Sequence, residues 1–234
     1  VPTQSFLYLC EELLERYKND TRIHSISGFN RVGIYENSTD YIFSKTGAGW
    51  GWATWKRVWE KAEKLKELKF LDDSQIVDML TKKMEPSIKA LYGDVITQGE
   101  KIRVQYQKTG VIPSWEYLIG MVLVLNDMLT ITPSRNMIKY IGISENATHT
   151  SADPRLLPHK IRKVLMQEAY EIENEFRHPS CVERDMYFEK LDRKAMYYPW
   201  KLAKIESTLL RIRYNKIGMS QHIWRKMKDK CFKR

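Results

Sequence analysis

The chain has 234 residues, of which 43% are apolar and 12% aromatic, enough to form the core of one large domain or two small ones. Its longest apolar run, residues 118–125, falls far below the roughly 20 residues that a membrane-spanning helix needs. The net charge of +10 is lopsided, because residues 201–234 carry 11 basic and two acidic side chains and the first 200 residues carry only +1.

The N-terminal residues and the cysteines indicate a cytoplasmic protein. Residues 1–5, VPTQS, have neither the basic region nor the apolar segment of a secretory signal, and no initiator Met. We therefore expect the chain to begin inside a longer protein. Cys10, Cys181 and Cys231 are an odd number, widely spaced and without a CxxC pair, which favours a reducing compartment.

Hydrophobic periodicity predicts helices and strands in alternation, and so an α/β protein in which helices predominate. The predicted helices are 5–17, 53–70, 73–83, 86–107, 114–129, 158–176 and one from Lys201 onward. The predicted strands are 22–29, 40–45 and 135–143.

Four of the seven tryptophans lie in residues 49–59, GWGWATWKRVW. Trp55 and Trp59 are four residues apart, and we expect them to fill the core from one face of a helix. Trp50 and Trp52 lie between glycines, where the backbone can approach a ligand closely. Their rings are suited to the apolar faces of sugars or to stacking on bases.

Two charged pairs in this region have simpler interpretations. Asp72 and Asp73 resemble a metal-binding pair, but they lie where a helix begins, and we expect them to cap it. Lys56 and Arg57 follow the glycine-rich segment and could face an anionic ligand. A solvated helix face is the favoured interpretation.

Several segments in order resemble a group of bacterial nucleotide-sugar-dependent glycosyltransferases of the GT-A fold, related to family 2 and sometimes labelled haemolysin-like. The segments are ISGFN at 26–30, YIFS at 41–44, GWGWATWKRVWEKAE at 49–63, SWEYLIG at 114–120 and GISENATHT at 142–150. The resemblance implies that residues 1–152 are the acceptor-side half of a GT-A domain. Residues 153–234 would be a mainly helical, basic extension.

The resemblance also implies site residues. Glu116, where these enzymes often have Asp, would be the general base of an inverting transfer, although it could simply be a first-turn glutamate of a helix. Trp50, Gly51, Trp52 and Trp115 would bind substrate. His149 would contact a divalent cation, Mn or Mg, and Thr148 and Thr150 would contact the diphosphate. The main acidic metal ligands are expected upstream of Val1.

The expected activity is sugar transfer from a nucleoside diphosphate donor to a glycan or lipid-linked acceptor, in surface polysaccharide synthesis. Without its donor-binding half, the chain alone is expected to be inactive. The competing hypothesis is a non-enzymatic basic module that binds a membrane or nucleic acid, with the tryptophans only in the core.

The basic C-terminal segment leaves three possibilities open. Leu202, Ile205, Leu209 and Ile212 recur on one helical face, with most cations off that face. The helix could pack on its own domain, lie on an anionic membrane at the inner face of the plasma membrane, or bind nucleic acid. Nucleic acid is disfavoured, because the first 200 residues lack a basic surface.

Overall fold

A computed structural model describes residues 1–82, 95–112, 114–143, 153–173 and 175–214. The predicted α/β class is confirmed: the described residues form a four-stranded mixed sheet and more helices than strands. The chain forms two compact units, Val1–Lys139 with Glu168–Lys194, and Tyr140–Gln167 with Ala195–Arg234. The domains expected from sequence, 1–152 and 153–234, stay a prediction, because compact packing alone does not define the limits of a GT-A domain.

The sheet of the first unit has the strand order β2–β4–β1–β3. Its strands are β1 Ile23–Ser27, β2 Tyr41–Ser44, β3 Trp52–Thr54 and β4 Leu129–Pro133. Strand β1 is parallel to β4 and antiparallel to β3, and β2 is antiparallel to β4. Strands β1 and β2 are buried along their whole length, so they form the centre of this unit's core.

The first helix, α1 Gln4–Arg16, forms where the sequence predicted it. Thr3 caps it, because its hydroxyl oxygen accepts a hydrogen bond from the backbone N–H of Phe6 at 3.2 Å. The carboxylate of Glu171 accepts bonds from the backbone N–H groups of Gln4 and Ser5 at 3.0 and 2.8 Å. The first turn thus has three of its free donors satisfied.

Four further helices of the first unit lie between β3 and β4 in sequence. They are α2 Lys56–Lys64, α3 Ser74–Lys82, α4 Val95–Thr109 and α5 Trp115–Leu125, with a 3₁₀ turn at Lys69–Asp72. Apolar side chains from these segments pack into one cluster with Val58, Leu68, Val122 and Met128 fully or almost fully buried. This cluster supports the ends of α2 and α5, where the candidate site lies.

Several predicted boundaries were wrong. The predicted helix 114–129 ends at Leu125, and the next residues form β4, which the sequence analysis missed. Asn126 caps the helix and Asp127 has a φ of 52°, so the chain turns there and cannot continue as a helix. The predicted helix 53–70 is β3 followed by α2.

The predicted strand 135–143 is also wrong. Its described residues make only isolated bridges, Arg135 with Ile34 and Ile138 with Pro2. The backbone N–H groups of Asn136 and Met137 donate to the carbonyl oxygens of Gly33 and Gly28 at 2.7 and 3.0 Å, so the bonds go to scattered partners and not to one neighbouring strand.

The last helix of the first unit carries two buried carboxylates that form ion pairs. It is α7 Met186–Met196, in a segment for which the sequence analysis predicted neither a helix nor a strand. Asp185 caps it by accepting the N–H of Phe188 at 2.7 Å. Glu189 and Asp192 are both 2% exposed and pair with Arg184 and Arg31.

The second unit contains α6 His159–Leu165 and α8 Trp200–Tyr214, with a 3₁₀ turn at Pro154–Leu156. The predicted helix 158–176 was too long, because α6 ends at Leu165. Beyond it, the N–H of Tyr170 donates to the carbonyl of Asn136 at 2.7 Å and not to a carbonyl of its own turn. The predicted helix from Lys201 is confirmed. Of the part that the structure describes, no helix is long and apolar enough to cross a membrane.

Candidate functional site

Three tryptophans from different elements form a cluster, which we call the tryptophan triad: Trp52 in β3, Trp59 in α2 and Trp115 at the start of α5. The rings of Trp52 and Trp115 are stacked, with centroids 5.1 Å apart and planes 20° from parallel. Trp59 lies 6.1 Å from Trp52 and 5.8 Å from Trp115. All three rings therefore contact one another.

The triad is open to solvent. Trp59 is 38% exposed and Trp115 is 44% exposed, and the half-buried Trp52 packs against the apolar cluster beneath them. An exposed group of large aromatic rings is costly unless a ligand or partner covers it. Flat aromatic faces offer apolar area and a π surface, which suits a ligand with a flat, weakly polar face.

The triad differs from what the sequence predicted for Trp55 and Trp59. Trp55 is buried, as expected, and its indole N–H donates to the carbonyl of Leu14 at 2.9 Å. Trp59 is not in the core. The four-residue spacing misled the prediction because Trp55 precedes the helix, with an extended backbone at φ −103° and ψ 153°.

Arg57 fixes the start of α2. Its guanidinium lies over the Trp55 ring at 4.2 Å and donates to the carbonyl oxygens of Asp20 and Ile23 at 2.8 and 3.0 Å. The expected solvated position was therefore wrong for Arg57, whereas the side chain of Lys56 is 89% exposed, as expected. By fixing this end of the helix, Arg57 helps to orient Trp59, two residues later.

The other two predicted substrate-binding residues have packing roles. Trp50 lies edge-on against Phe29, with centroids 4.9 Å apart. Gly51 has a φ of +62°, and a Cβ there would lie 2.7 Å from Cγ1 of Ile138. Its carbonyl accepts the N–H of Gly28 at 2.7 Å. The glycine is thus required by its backbone angle and by Ile138, and these contacts do not test a role in binding.

Glu116 follows Trp115 in the first turn of α5 and is exposed. Within the described residues its carboxylate makes no hydrogen bond or ion pair, so both oxygens can accept. The first turn of a helix also favours a negative charge. An unpaired carboxylate next to an exposed aromatic ring is chemically suited to accept a proton from a bound hydroxyl group.

His24 is a residue of this region to which the sequence analysis gave no role. It is 5% exposed on β1, and its Nε2–H donates to the carbonyl of Ile119 in α5 at 2.9 Å. Its Nδ1 accepts from the Ser25 hydroxyl, also at 2.9 Å. The pKa of His24 is lowered to about 4: burial is the largest cause, the Ile119 bond acts against it, and the nearby Arg57 adds to the lowering. His24 thus joins β1 to the helix that carries Trp115 and Glu116.

We predict that the free energy of unfolding falls as pH drops from about 6.5 to about 4, because unfolded His24 then binds a proton that the folded protein excludes. The sign follows from the lowered pKa, since the unfolded state binds more protons throughout this window. The loss is about 3 kcal/mol at its lower end. Urea unfolding at several pH values measures it.

His24→Gln should flatten that pH dependence, although it lowers stability at neutral pH through the altered contact with Ile119. His159→Gln, which removes an exposed imidazole, is the control. An unchanged slope in His24→Gln would contradict this assignment.

The predicted metal contact, His149, and the predicted diphosphate contacts, Thr148 and Thr150, lie outside the described residues. Among the residues that the structure does describe, no group of three His, Cys, Asp or Glu side chains could hold a metal ion. Asp73 caps α3, as predicted, by accepting the N–H groups of Gln75 and Ile76 at 2.9 and 3.2 Å. Asp72 pairs with Arg103.

Comparison with known proteins gives no match: no family model, no curated protein and no solved structure is significantly similar to this chain.

Proposed function

We propose that this chain is the acceptor-side part of a nucleotide-sugar-dependent glycosyltransferase with the GT-A fold, and that the tryptophan triad binds the sugar substrate. One observation carries the proposal. Trp52 and Trp115, which come from two separate segments of the resemblance, stack at 5.1 Å on an exposed surface, and Glu116 follows Trp115 in the chain. A core function for these rings would leave neither Trp59 nor Trp115 exposed.

The triad has the chemistry of a sugar platform. Pyranose rings present a face of C–H groups, which packs well on an aromatic plane, while the sugar hydroxyl groups stay at the edge and keep their hydrogen bonds. The two exposed rings, Trp59 and Trp115, are tilted by 48° to each other. They form a shallow corner and not one flat plane, which favours an oligosaccharide or a branched acceptor over a single planar base.

Glu116 would act as the general base of an inverting transfer. Its carboxylate would accept the proton of the acceptor hydroxyl as that oxygen forms its bond to the anomeric carbon. The bond between the anomeric carbon and the diphosphate oxygen breaks, and the nucleoside diphosphate leaves with the electron pair. We derive no step through a divalent cation, because the described residues do not supply a ligand set for one.

The acceptor in this proposal is a glycan or a lipid-linked saccharide, and the product belongs to surface polysaccharide synthesis. We place the protein in the cytoplasm, where nucleotide sugars are available. The cysteine usage supports this compartment.

Glycan binding tests the proposal most directly. We expect Trp115→Ala to weaken binding of oligosaccharides by about tenfold, because it removes one exposed ring of the platform. Trp59→Ala should have a similar effect, since Trp59 is the other exposed ring. A glycan array followed by calorimetric titration of the best ligand measures the affinity. Trp52 is left intact, because its packing on the apolar cluster would confuse binding with stability.

The matched control is Trp200→Ala, which removes a tryptophan that is 68% exposed and lies outside the triad. It should leave glycan affinity unchanged. Equal losses in all three variants, or unchanged affinity in both triad variants, would refute the platform.

A further inference from the structure

Helix α8, Trp200–Tyr214, packs on its own unit through one side only. Its half-buried residues Ala203, Glu206, Ser207 and Leu210 share that side. Glu206 accepts hydrogen bonds from the backbone N–H of His159 at 2.9 Å and from the hydroxyl of Tyr198. These contacts fix which way the helix is turned.

A different side of α8 carries an exposed row of aliphatic side chains, which we call the α8 stripe. Leu202, Ile205, Leu209 and Ile212 are 53%, 57%, 60% and 44% exposed. At about 100° per residue they lie within roughly 80° of the helix circumference. No residue of this helix is buried. The apolar face that the sequence predicted is therefore not the face that packs.

The charges around the stripe are positive. Lys201 and Arg213 border it on opposite sides, each about 60° from its centre on the helical wheel. Lys204 and Arg211 lie farther round the helix. The single acidic residue of α8, Glu206, is turned to the packed side, so the exposed surface carries cations alone. Trp200 and Tyr214, at the two ends, lie about 160° from the centre of the stripe and are not part of it.

We propose that the α8 stripe docks on an anionic lipid surface, with the helix lying in the plane of the headgroups. An apolar row bordered by cations is the composition of an interfacial helix. The helix has 15 residues and is about 22 Å long, so it can lie along the interface but is too short to cross a bilayer. This inference does not depend on sugar transfer.

The positive charge of this segment favours an anionic lipid surface over a second copy of the chain as the partner of the α8 stripe. Residues 201–234 contain 11 basic and two acidic residues, so a second copy of the chain would bring two strongly positive segments together. An anionic bilayer offers both partners that the surface needs, an apolar layer for the stripe and negative headgroups for the cations.

Vesicle binding of the full chain is the test, compared between phosphatidylcholine vesicles and mixed phosphatidylcholine and phosphatidylglycerol vesicles. We expect clear binding to the mixed vesicles, weaker at high salt. The double variant Ile205→Gln with Leu209→Gln should bind at least about tenfold more weakly, because it removes apolar area that would enter the interface. Unchanged circular dichroism would show that the variant is folded.

Leu7→Gln is the matched control, since Leu7 is 50% exposed on α1, in the other unit. It should bind like the unchanged chain. Three outcomes would overturn the proposal: no binding to mixed vesicles, equal binding by the stripe variant, or a dimer of the unchanged chain that the stripe variant loses in light scattering.

Discussion

Asp192→Ala is expected to destabilise the protein by about 3–5 kcal/mol, because it leaves the buried guanidinium of Arg31 without its counter-charge. The two side chains form a two-pronged pair, with Nε to Oδ1 at 2.8 Å and Nη2 to Oδ2 at 2.5 Å. Their side chains are only 7% and 2% exposed. Arginine cannot escape the cost by losing its proton, so the penalty falls on the folded state.

Urea unfolding at neutral pH measures this change as a shift in the midpoint with little change in slope. Asp192→Asn keeps the shape and one acceptor, and should lose less than Asp192→Ala. Glu67→Ala removes an exposed partner of Lys69 and should not move the midpoint. If Asp192→Ala behaved like Glu67→Ala, the buried pair would not hold α7 on the first unit.

The local sequence was sufficient to predict helix α1 and strands β1 and β2. Helix α1 buries Phe6, Leu9 and Leu13, which recur at helical spacing. Strand β1 ends before Gly28, and β2 is a short β-branched or aromatic segment. In α1 the residues that pack are those that the periodicity marks, whereas β1 and β2 are buried along their whole length.

The errors arose where tertiary contacts decide between two local possibilities. The apolar helix is followed by Met128 and Leu129, so periodicity alone extended the predicted helix to Leu129, the first residue of β4. The turn at Asn126 and Asp127, followed by alternating Leu and Ile with Thr130 and Thr132, could have indicated a strand. Its parallel pairing with β1 depends on a partner that is distant in sequence.

The candidate site could be predicted only in part. Trp52 and Trp115 were expected to share a binding surface, and the structure places their rings together. Trp59 was missed because its exposure depends on how Arg57 and Trp55 fix the beginning of α2. His24 was missed because its partners include the Ile119 carbonyl, which no local pattern links to β1.

Trp115 of the triad and the carboxylate of Glu116 lie on the same short stretch of helix. Trp115 is the first residue of α5 and Glu116 is the second, and the bond from His24 to Ile119 holds the next turn of that helix. In the proposed reaction, the rings that bind the sugar and the carboxylate that accepts the proton of the sugar hydroxyl need a fixed relative position. Because Trp115 and Glu116 are consecutive residues of one helical turn, Glu116 would keep its position relative to that ring of the triad whenever the helix is held.

Glu116→Gln is accordingly expected to lower the rate of sugar transfer by about 10²–10⁴-fold, because an amide cannot take the proton of the acceptor hydroxyl. Oligosaccharide affinity should stay the same, since the triad is untouched. Transfer is to be measured with UDP-, GDP- and dTDP-sugars and Mn²⁺, on the longest natural reading frame that contains this chain.

Glu116→Asp restores a carboxylate one methylene shorter, and it should recover part of the rate that Glu116→Gln loses. Glu60→Gln removes an exposed carboxylate from α2, near Trp59 in sequence, and should transfer at the unchanged rate. A full rate in Glu116→Gln would reject the base and leave the triad as a binding surface. Loss of affinity together with rate would instead mean that Glu116 shapes the helix start, as a first-turn carboxylate does.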